Sequence, residues 1–292
     1  MQRDFLQRVL FEDVNARAVL VRLDRVLDEI FAETTYPPAV QVLLAESLLV
    51  VAMLSSGIKF DGRISLQLQS TGPISLLLAD CSEEGGLRGI AQVDEQAELP
   101  DSPEVLFATL VGAANLVLTL EPADGGQRWQ GIVPLEGEGL HEAIEAYFQR
   151  SEQLLTRVKL AVGVGQASAL MIQQMPGQHD DPDGWNRLEH LIATVRADEL
   201  LEPDVKRLLD KLFHQETRRV FPARSLQFHC PCTRERVLGV LQGLGTDELQ
   251  DMASQQETVE VRCQFCNRAY HFDEFDLNAI IQSGDESGPT VH

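Results

Sequence analysis

His229-Cys230-Pro231-Cys232 and, after a gap of thirty residues, Cys263-Gln264-Phe265-Cys266 are the two short runs around which this chain is organised. They read CxC followed by CxxC, and the chain has only one other cysteine, Cys81. Four sulfurs in two close pairs suit one tetrahedral soft metal ion, with zinc as the default. Cys230, Cys232, Cys263 and Cys266 are therefore expected to bind one zinc per chain, each pair forming one side of the tetrahedron. The spacing fits a purely structural ribbon as well as a reactive centre. The CxC half is the unusual part, because structural ribbons mostly use CxxC twice. His229 and His271 lie beside the site, but four cysteines leave them no ligand position, so both read as neighbouring or surface residues. Cys81 has no patterned partner and reads as an ordinary small residue.

A length of 292 residues points to two or three domains, and a hydrophobic content of 44% suffices for a full core. Met1-Gln2-Arg3-Asp4 runs straight into a patterned segment, so no signal peptide is expected. The most apolar stretch, residues 40–54, contains Gln41, Glu46 and Ser47. It is too short and too polar to span a bilayer and reads as a buried helix. The expected location is the cytoplasm, with no membrane partner. Cysteines there are kept reduced, so a paired set means metal or redox chemistry before structural disulfides. The formal charge is −21, from 45 acidic against 24 basic residues. Residues 221–292 hold five Lys/Arg and eleven Asp/Glu. Such a surface repels phosphate backbones, which argues against a nucleic-acid partner.

Outward from the cysteines, the chain divides at its breakers. Residues 5–11 and 16–21 are strand-like around Glu12-Asp13. Leu23, Val26, Leu27, Ile30 and Phe31 recur at helical spacing, and Pro37-Pro38 opens a second helix to about Ser55. Ile64, Leu66 and Leu68 alternate with Ser65, Gln67 and Gln69, and Ile74, Leu76 and Leu78 alternate again after Thr71-Gly72-Pro73. Residues 87–93 form a third strand candidate and 104–110 a short helix. Residues 115–120 and 128–133 read as a hairpin around Asp124-Gly125-Gly126. Residues 141–149 are helical, and 160–164 and 169–173 are strand candidates. Strands come in runs, so the expected class is α+β with a mixed or antiparallel sheet. Met175-Pro176-Gly177 through Asp180-Asp181-Pro182-Asp183-Gly184 marks a boundary. Beyond it, Trp185, Leu188, Leu191, Ile192 and Val195 make one helical stripe, and Val205, Leu208, Leu209, Leu212 and Phe213 another. Short helices of this kind take their stability from packing. They read either as a plain connector or as a linker that holds only while its neighbours do. The expected division is an N-terminal α+β domain at 1–175, a helical linker at 176–220 and a small C-terminal zinc domain at 221–292. Gly163-Val164-Gly165 and Gly85-Gly86 lack any phosphate-loop continuation, and Ser151 and His141 lack a nucleophile context. No catalytic constellation is present, and the chain is not expected to be an enzyme.

Several segments resemble the redox-regulated heat-shock chaperones, the 33-kDa chaperonin family of the bacterial cytosol. They are Gly62-Arg63-Ile64-Ser65-Leu66-Gln67-Leu68-Gln69 with Gly72-Pro73, Arg88-Gly89, and Gln130-Gly131-Ile132-Val133-Pro134-Leu135. Tyr147-Phe148-Gln149-Arg150-Ser151-Glu152-Gln153 follows in the same order. The most specific are Phe228-His229-Cys230-Pro231-Cys232-Thr233-Arg234-Glu235-Arg236 and Val261-Arg262-Cys263-Gln264-Phe265-Cys266-Asn267. Thr233 stands where the family usually has Ser, and Ser70-Thr71-Gly72-Pro73 where it usually has Gly-Asp-Gly-Pro. The resemblance implies an ATP-independent holdase that is zinc-bound, monomeric and inactive when reduced. It implies that oxidation ejects zinc, forms Cys230–Cys232 and Cys263–Cys266 disulfides, loosens the linker and yields a homodimer that captures unfolding client proteins.

The physics of the cysteine segment is compatible with such a switch. A segment of roughly seventy residues buries too little surface to be comfortably stable alone. A structural zinc contributes about 10–16 kcal/mol of apparent binding energy in small zinc peptides. Disulfides within each pair would close tiny loops, and the entropic gain of a crosslink grows with loop length. Unfolding is expected to bare Val237, Leu238, Val240, Leu241, Leu244, Phe265, Phe272 and Phe275, and to remove the packing partner of the linker helices. Two rival readings are a constitutive zinc-ribbon module that binds protein or nucleic acid, and a hydrolase domain with a zinc-stabilised tail.

Overall fold

The computed structural model describes residues 3–32, 34–57, 61–94, 96–97, 99–100, 102–105, 107–135, 137–177, 181–245, 248–250, 252 and 258–285. The fold is α+β, in two compact units, Met1–His229 and Cys230–His292.

The first unit is built on one helix. α2 (Pro38–Ser55) is apolar on every side, and Leu43, Leu44, Leu48, Leu49, Val50, Val51 and Met53 are all buried. A helix without a polar face must be covered all round. It is long and apolar enough to cross a membrane by composition, yet 72% of that span lies inside the protein, as the core helix. Two sheets cover it. The first has the order β10-β1-β2-β9-β8 and is antiparallel throughout. Its strands are β1 (Phe5–Phe11), β2 (Ala16–Leu23), β8 (Thr156–Gly163), β9 (Gln166–Gln174) and β10 (Arg218–Val220), with β11 (Arg224–Ser225) also on β1. The second sheet has the order β12-β5-β4-β3-β6-β7. Its strands are β3 (Gly62–Ser70), β4 (Ile74–Ser82), β5 (Gly86–Val93), β6 (Ala114–Pro122), β7 (Trp129–Pro134) and β12 (Gln227–Phe228). Only β12 on β5 is parallel, so this sheet is mixed. α1 (Arg25–Phe31), α3 (Phe107–Val111) and α4 (Leu140–Tyr147) pack on the sheets and add buried residues to the same core.

Two local differences from the sequence reading have simple causes. The strand candidates at 160–164 and 169–173 are longer and pair as a hairpin, Thr156–Gly163 with Gln166–Gln174, whose turn is Val164-Gly165, with Gly165 at φ +64° and Val164 fully exposed. The helix read to Gln149 gives way after Tyr147 to a π-turn, Phe148–Glu152, closed by Gln153 at φ 56°.

The linker helices are α5 (Gly184–Ala193), α6 (Ala197–Leu200) and α7 (Lys206–Leu212). Their apolar stripes pack on the first sheet. Trp185, Leu188, Ile192, Val195, Leu208, Leu209 and Phe213 form a second core with Phe5, Val9, Phe11, Leu20, Leu170 and Ile172. Phe213 meets Phe11 edge-on, with ring centroids 4.9 Å apart. The expectation that these helices lose their packing partner with the cysteine segment is therefore corrected, because their partner is the N-terminal sheet. The chain after α7 is held by the same unit. β10 and β11 pair with β1, β12 pairs with β5, and Arg224 donates to the Glu83 carbonyl at 2.6 Å.

The second unit contains α8 (Arg234–Gln242), the hairpin β13 (Thr258–Arg262) and β14 (Ala269–Asp273), and α9 (Glu274–Asp285). Among the described residues its core is five buried side chains, Leu241, Leu249, Val259, Phe272 and Leu277. Val240, Leu244 and Phe275 are already exposed, so their inclusion among residues bared by unfolding is also corrected. Val240 and Phe275 occupy the outward faces of α8 and α9, and Leu244 lies in the turn after α8.

Candidate metal centre

The first pair of cysteines lies on the extended run that enters α8. Thr233 ends that run as the helix N-cap, its hydroxyl accepting from the Arg236 amide at 3.3 Å. Arg236 also donates to the Pro231 carbonyl at 2.9 Å, which anchors the residue between the two sulfurs. The second pair sits on the knuckle joining β13 to β14. There the Cys263 amide donates to the Arg268 carbonyl at 3.0 Å, and the Asn267 amide to the Cys263 carbonyl at 2.8 Å. Asn267 adopts φ 53°, a conformation that Asn tolerates better than most residues. That tight turn brings Cys263 and Cys266 to the same side.

The four sulfurs converge. Cys230 Sγ lies 3.6 Å from Cys263 Sγ, and Cys232 Sγ lies 3.3 Å from Cys266 Sγ. All four lie within 4.8 Å of one another, and all five cysteines of the chain are free thiols. A tetrahedral Zn–S bond of about 2.3 Å implies sulfur–sulfur edges of about 3.8 Å. The cluster thus has ligand spacing, and four cysteines close together can bind a metal ion. Among the described residues, no other group of His, Cys, Asp and Glu side chains converges in this way. His229 and His271 are exposed and outside the cluster. His271 faces Glu260 at 3.8 Å, and the His229 amide donates to the Leu87 carbonyl at 2.9 Å. Cys81 is buried in β4, where burial pushes its thiol up to about 11. It is an inert core residue.

The thiols are not equivalent. Burial raises Cys230 and Cys266, and the neighbouring sulfurs add to the effect. Burial opposes ionisation of Cys232 too, but hydrogen bonds from Tyr270 and the adjacent thiols outweigh it and hold Cys232 at about 7. The Tyr270 hydroxyl lies 3.2 Å from Cys232 Sγ and 3.0 Å from the Cys232 carbonyl. Cys232 is therefore the first thiolate of the set, and a divalent cation would draw the other protons off. Arg234 braces the site from behind. It bonds the His271 carbonyl at 3.2 Å and Asp276 at 2.6 Å, and its guanidinium lies 4.6 Å over the Phe272 ring. Tyr270 and Arg234 were missed from sequence. Neither has a spacing signal, since both act through the folding of the hairpin against α8 and α9.

Comparison with known proteins decides the family. The family model described as Hsp33 protein matches residues 4–273. The chain belongs to the Hsp33 family. It is 38% identical to a 33 kDa chaperonin of Methylobacillus flagellatus, over 95% of this chain and 94% of that protein. It is 39% identical to a 33 kDa chaperonin of Chromobacterium violaceum, with the same coverage, 95% and 94%. The crystal structure of the 33 kDa chaperonin from Thermotoga maritima shares the fold. Its TM-score is 0.84 at 22% identity, covering 98% of this chain and 100% of that one. The chain is thus a chaperone by family, and its relatives carry a chaperonin name rather than an enzyme name.

Proposed function

We propose that this chain is a redox-regulated, ATP-independent holdase of the cytoplasm. In the reduced state one zinc ion is held by Cys230, Cys232, Cys263 and Cys266. Zinc here would act as a cross-link, offsetting two of the four thiolate charges and tying residue 230 to residue 266. The functional division is a chaperone domain at 1–175, a linker at 176–220 and a redox switch at 221–292. What carries the reading is the pairing of two features of the Cys230–His292 unit: four sulfurs within 4.8 Å and, among the described residues, a core of only five buried side chains.

A small core cannot compensate for a lost metal. Peroxide-type oxidants convert exposed thiolates to sulfenic acid, and a neighbouring thiol then displaces water to give a disulfide. Disulfide sulfur no longer carries the anionic charge that binds zinc. Pairing within each motif, Cys230–Cys232 and Cys263–Cys266, would remove the tie across the thirty-residue gap. Leu241 and Phe272 then become available to clients together with the half-buried Val237, Leu238 and Phe265. The linker helices would detach later, because their own core on the first sheet survives the loss of zinc. The high negative charge would keep a client complex soluble. The oxidised chain would be a homodimer and the reduced chain a monomer.

The experiment follows zinc release, holdase activity and sedimentation together during peroxide treatment of the full chain. Zinc should leave as activity appears. Holdase activity that is full before oxidant and indifferent to it would favour a constitutive zinc-ribbon module and overturn the proposal. Disulfide mapping should find the two within-motif links. A product dominated by Cys230–Cys263 and Cys232–Cys266 would keep the long loop closed and defeat the loss-of-clamp mechanism.

A further inference from the structure

Strand β7 is an edge of the second sheet, paired with β6 and with no other described strand. Its sequence, Trp129-Gln130-Gly131-Ile132-Val133-Pro134, carries no charge. Ile132 is 69% exposed and Trp129 42% exposed. Proteins normally guard such an edge with Lys, Pro, a bulge or a covering element, and β7 has only the terminal Pro134, so Trp129–Val133 remains an uncharged template for another strand. In a chain of net charge −21 the lack of any guarding charge is the more telling.

Beside the strand lies a cavity of about 490 Å³, whose lining includes Arg17, Leu118, Leu120, Trp129, Tyr147 and Phe148. Gly131 shapes it. A Cβ there would come within 2.8 Å of the Trp129 ring and 3.2 Å of the Tyr147 ring, so the glycine lets the indole lie back over the strand. Trp129 then stands edge-on to Tyr147, and Tyr147 edge-on to Phe148, with centroids 6.4 and 5.4 Å apart. The far wall is the π-turn at Phe148–Glu152, closed by left-handed Gln153 and braced by the Tyr147 hydroxyl donating to Glu152 at 2.9 Å. π-turns and left-handed non-glycine residues are costly and recur at binding sites. Arg17 donates from Nε and Nη2 to Gln173 Oε1 at 3.0 and 2.7 Å, and no carboxylate pairs with it among the described residues.

We infer that β7 and this groove are a client-docking edge. An extended apolar segment of an unfolded protein adds as a strand along β7, seats an aromatic or aliphatic side chain in the groove, and turns an acidic side chain toward Arg17. Backbone hydrogen bonds then give sequence-tolerant affinity, and the groove selects every second side chain. The nature of the occupant rests on the chaperone reading. The edge itself belongs to the Met1–His229 unit and is formed while the four cysteines are thiols. It therefore captures segments weakly in both redox states.

Trp129 and Trp185 are the two tryptophans of the chain, so Trp185→Phe leaves one indole, at the groove. The full chain carrying that change is titrated, reduced and oxidised, with a short peptide of alternating Val and Phe and one central Asp. Trp129 emission should shift to the blue, and amides of 129–134 in the unsubstituted chain should gain hydrogen-exchange protection. Ile132→Lys, at an exposed position that folding tolerates, should weaken the peptide roughly tenfold. Replacing the peptide's Asp by Lys should weaken it severalfold. Peptide binding without protection at β7, or with unchanged affinity in Ile132→Lys, overturns the inference. So does protection of β7 without peptide that rises with protein concentration alongside dimers in sedimentation, because the occupant is then a second copy. Aggregation assays run in parallel separate this from the broader reading. An unsubstituted chain that suppresses no aggregation in either redox state overturns the holdase. A chain that suppresses it equally with and without Ile132→Lys, at unchanged peptide affinity, overturns only the docking edge.

Discussion

The two compact units of this chain reach stability by opposite routes. In the Met1–His229 unit, helix α2 alone has fourteen buried residues within one large apolar cluster, and a second cluster joins the first sheet to α5, α6 and α7. In the Cys230–His292 unit, the described core is five side chains, and four thiols stand in ligand geometry beside it. Burial scales with domain size, so the first unit can stand on apolar packing while the second needs a cross-link. The same contrast suits them to different tasks. A core spread over many residues responds to heat or denaturant, whereas a fold resting on a few sulfur–metal bonds responds to whatever attacks sulfur. A sensor and a platform can then share one chain without sharing a failure mode.

The most direct way to break this comparison is Cys263→Ser with Cys266→Ser. Removing half the ligands should abolish tight zinc binding, with a loss on the scale of about 10 kcal/mol. Hydrogen exchange should show residues 230–285 without protection while α2 and both sheets stay protected. The variant should also bind clients in reducing buffer far more tightly than the parent does. Persistent protection of β13 and β14 without zinc would mean that the five-residue core suffices alone. An unfolded second unit without client binding would mean that unfolding is not the switch.

A second substitution tests where the linker belongs. Phe213 is fully buried and meets Phe11 edge-on at 4.9 Å. Phe213→Ala should cost about 3–5 kcal/mol at that site. It should open 184–216 to protease even with zinc bound. If proteolysis of that segment instead follows zinc content and ignores Phe213→Ala, the linker is governed by the cysteine unit after all.

What was readable in the sequence follows the same physical divide. β3 was legible because one face is buried, so Ile64, Leu66 and Leu68 had to alternate with polar residues. In β4 the alternation read as Ile74, Leu76 and Leu78 fails, because an irregularity between Ile74 and Leu76 shifts the register and buries Leu77 instead of Leu76 and Leu78. α2 was legible because eighteen apolar-rich residues after a proline leave few other folds. The four cysteines were legible because ligand chemistry imposes close pairs. The stripe Trp185, Leu188, Ile192 and Val195 announced a buried face but not what buries it, since periodicity is local and packing is not. α6 spans four residues, and β10, β11 and β12 span three, two and two. Such elements are too short to carry a period, and the three strands exist because an edge of β1 or β5 is there to pair with. The exposed Val240, Leu244 and Phe275 misled for the complementary reason: apolar residues were counted, but the side they face was not.

The units should also differ in the sign of their pH response. Burial pushes the Glu46 carboxyl up to about 7 from the usual 4.5. Its folded pKa is the higher one, so the folded state binds the extra proton. The first unit therefore loses stability as pH rises from about 4.5 to about 7 and bears the full penalty above that. Glu46→Gln should stabilise this unit by ~2 kcal/mol at alkaline pH and by little in acid, read as the thermal midpoint of its unfolding. The second unit, if it holds zinc as proposed, should run the other way, because its ligands must be deprotonated and acid competes with the metal. Parallel pH profiles for the two units would remove this distinction.

The smallest expected effect probes how finely the metal ligands are held. Tyr270 lies opposite Val261 in the β13–β14 hairpin, and both rest against the small core. Tyr270→Phe keeps the ring and that packing and removes only the hydroxyl, which bonds the Cys232 carbonyl and Sγ at 3.0 and 3.2 Å. A partner of this kind orients a ligand without touching the metal, and its loss typically costs 10–100-fold in affinity. The bond here is shared between backbone and sulfur on a partly exposed residue, so about tenfold is expected, measured by competition with a chelator. Hydrogen exchange across the hairpin should stay as in the parent. Weakened zinc binding with an intact hairpin would mean that the second unit depends on ligand orientation as well as ligand number. Unchanged affinity would mean that the two cysteine turns alone set the geometry, and that the fold around them is more robust than its five-residue core suggests.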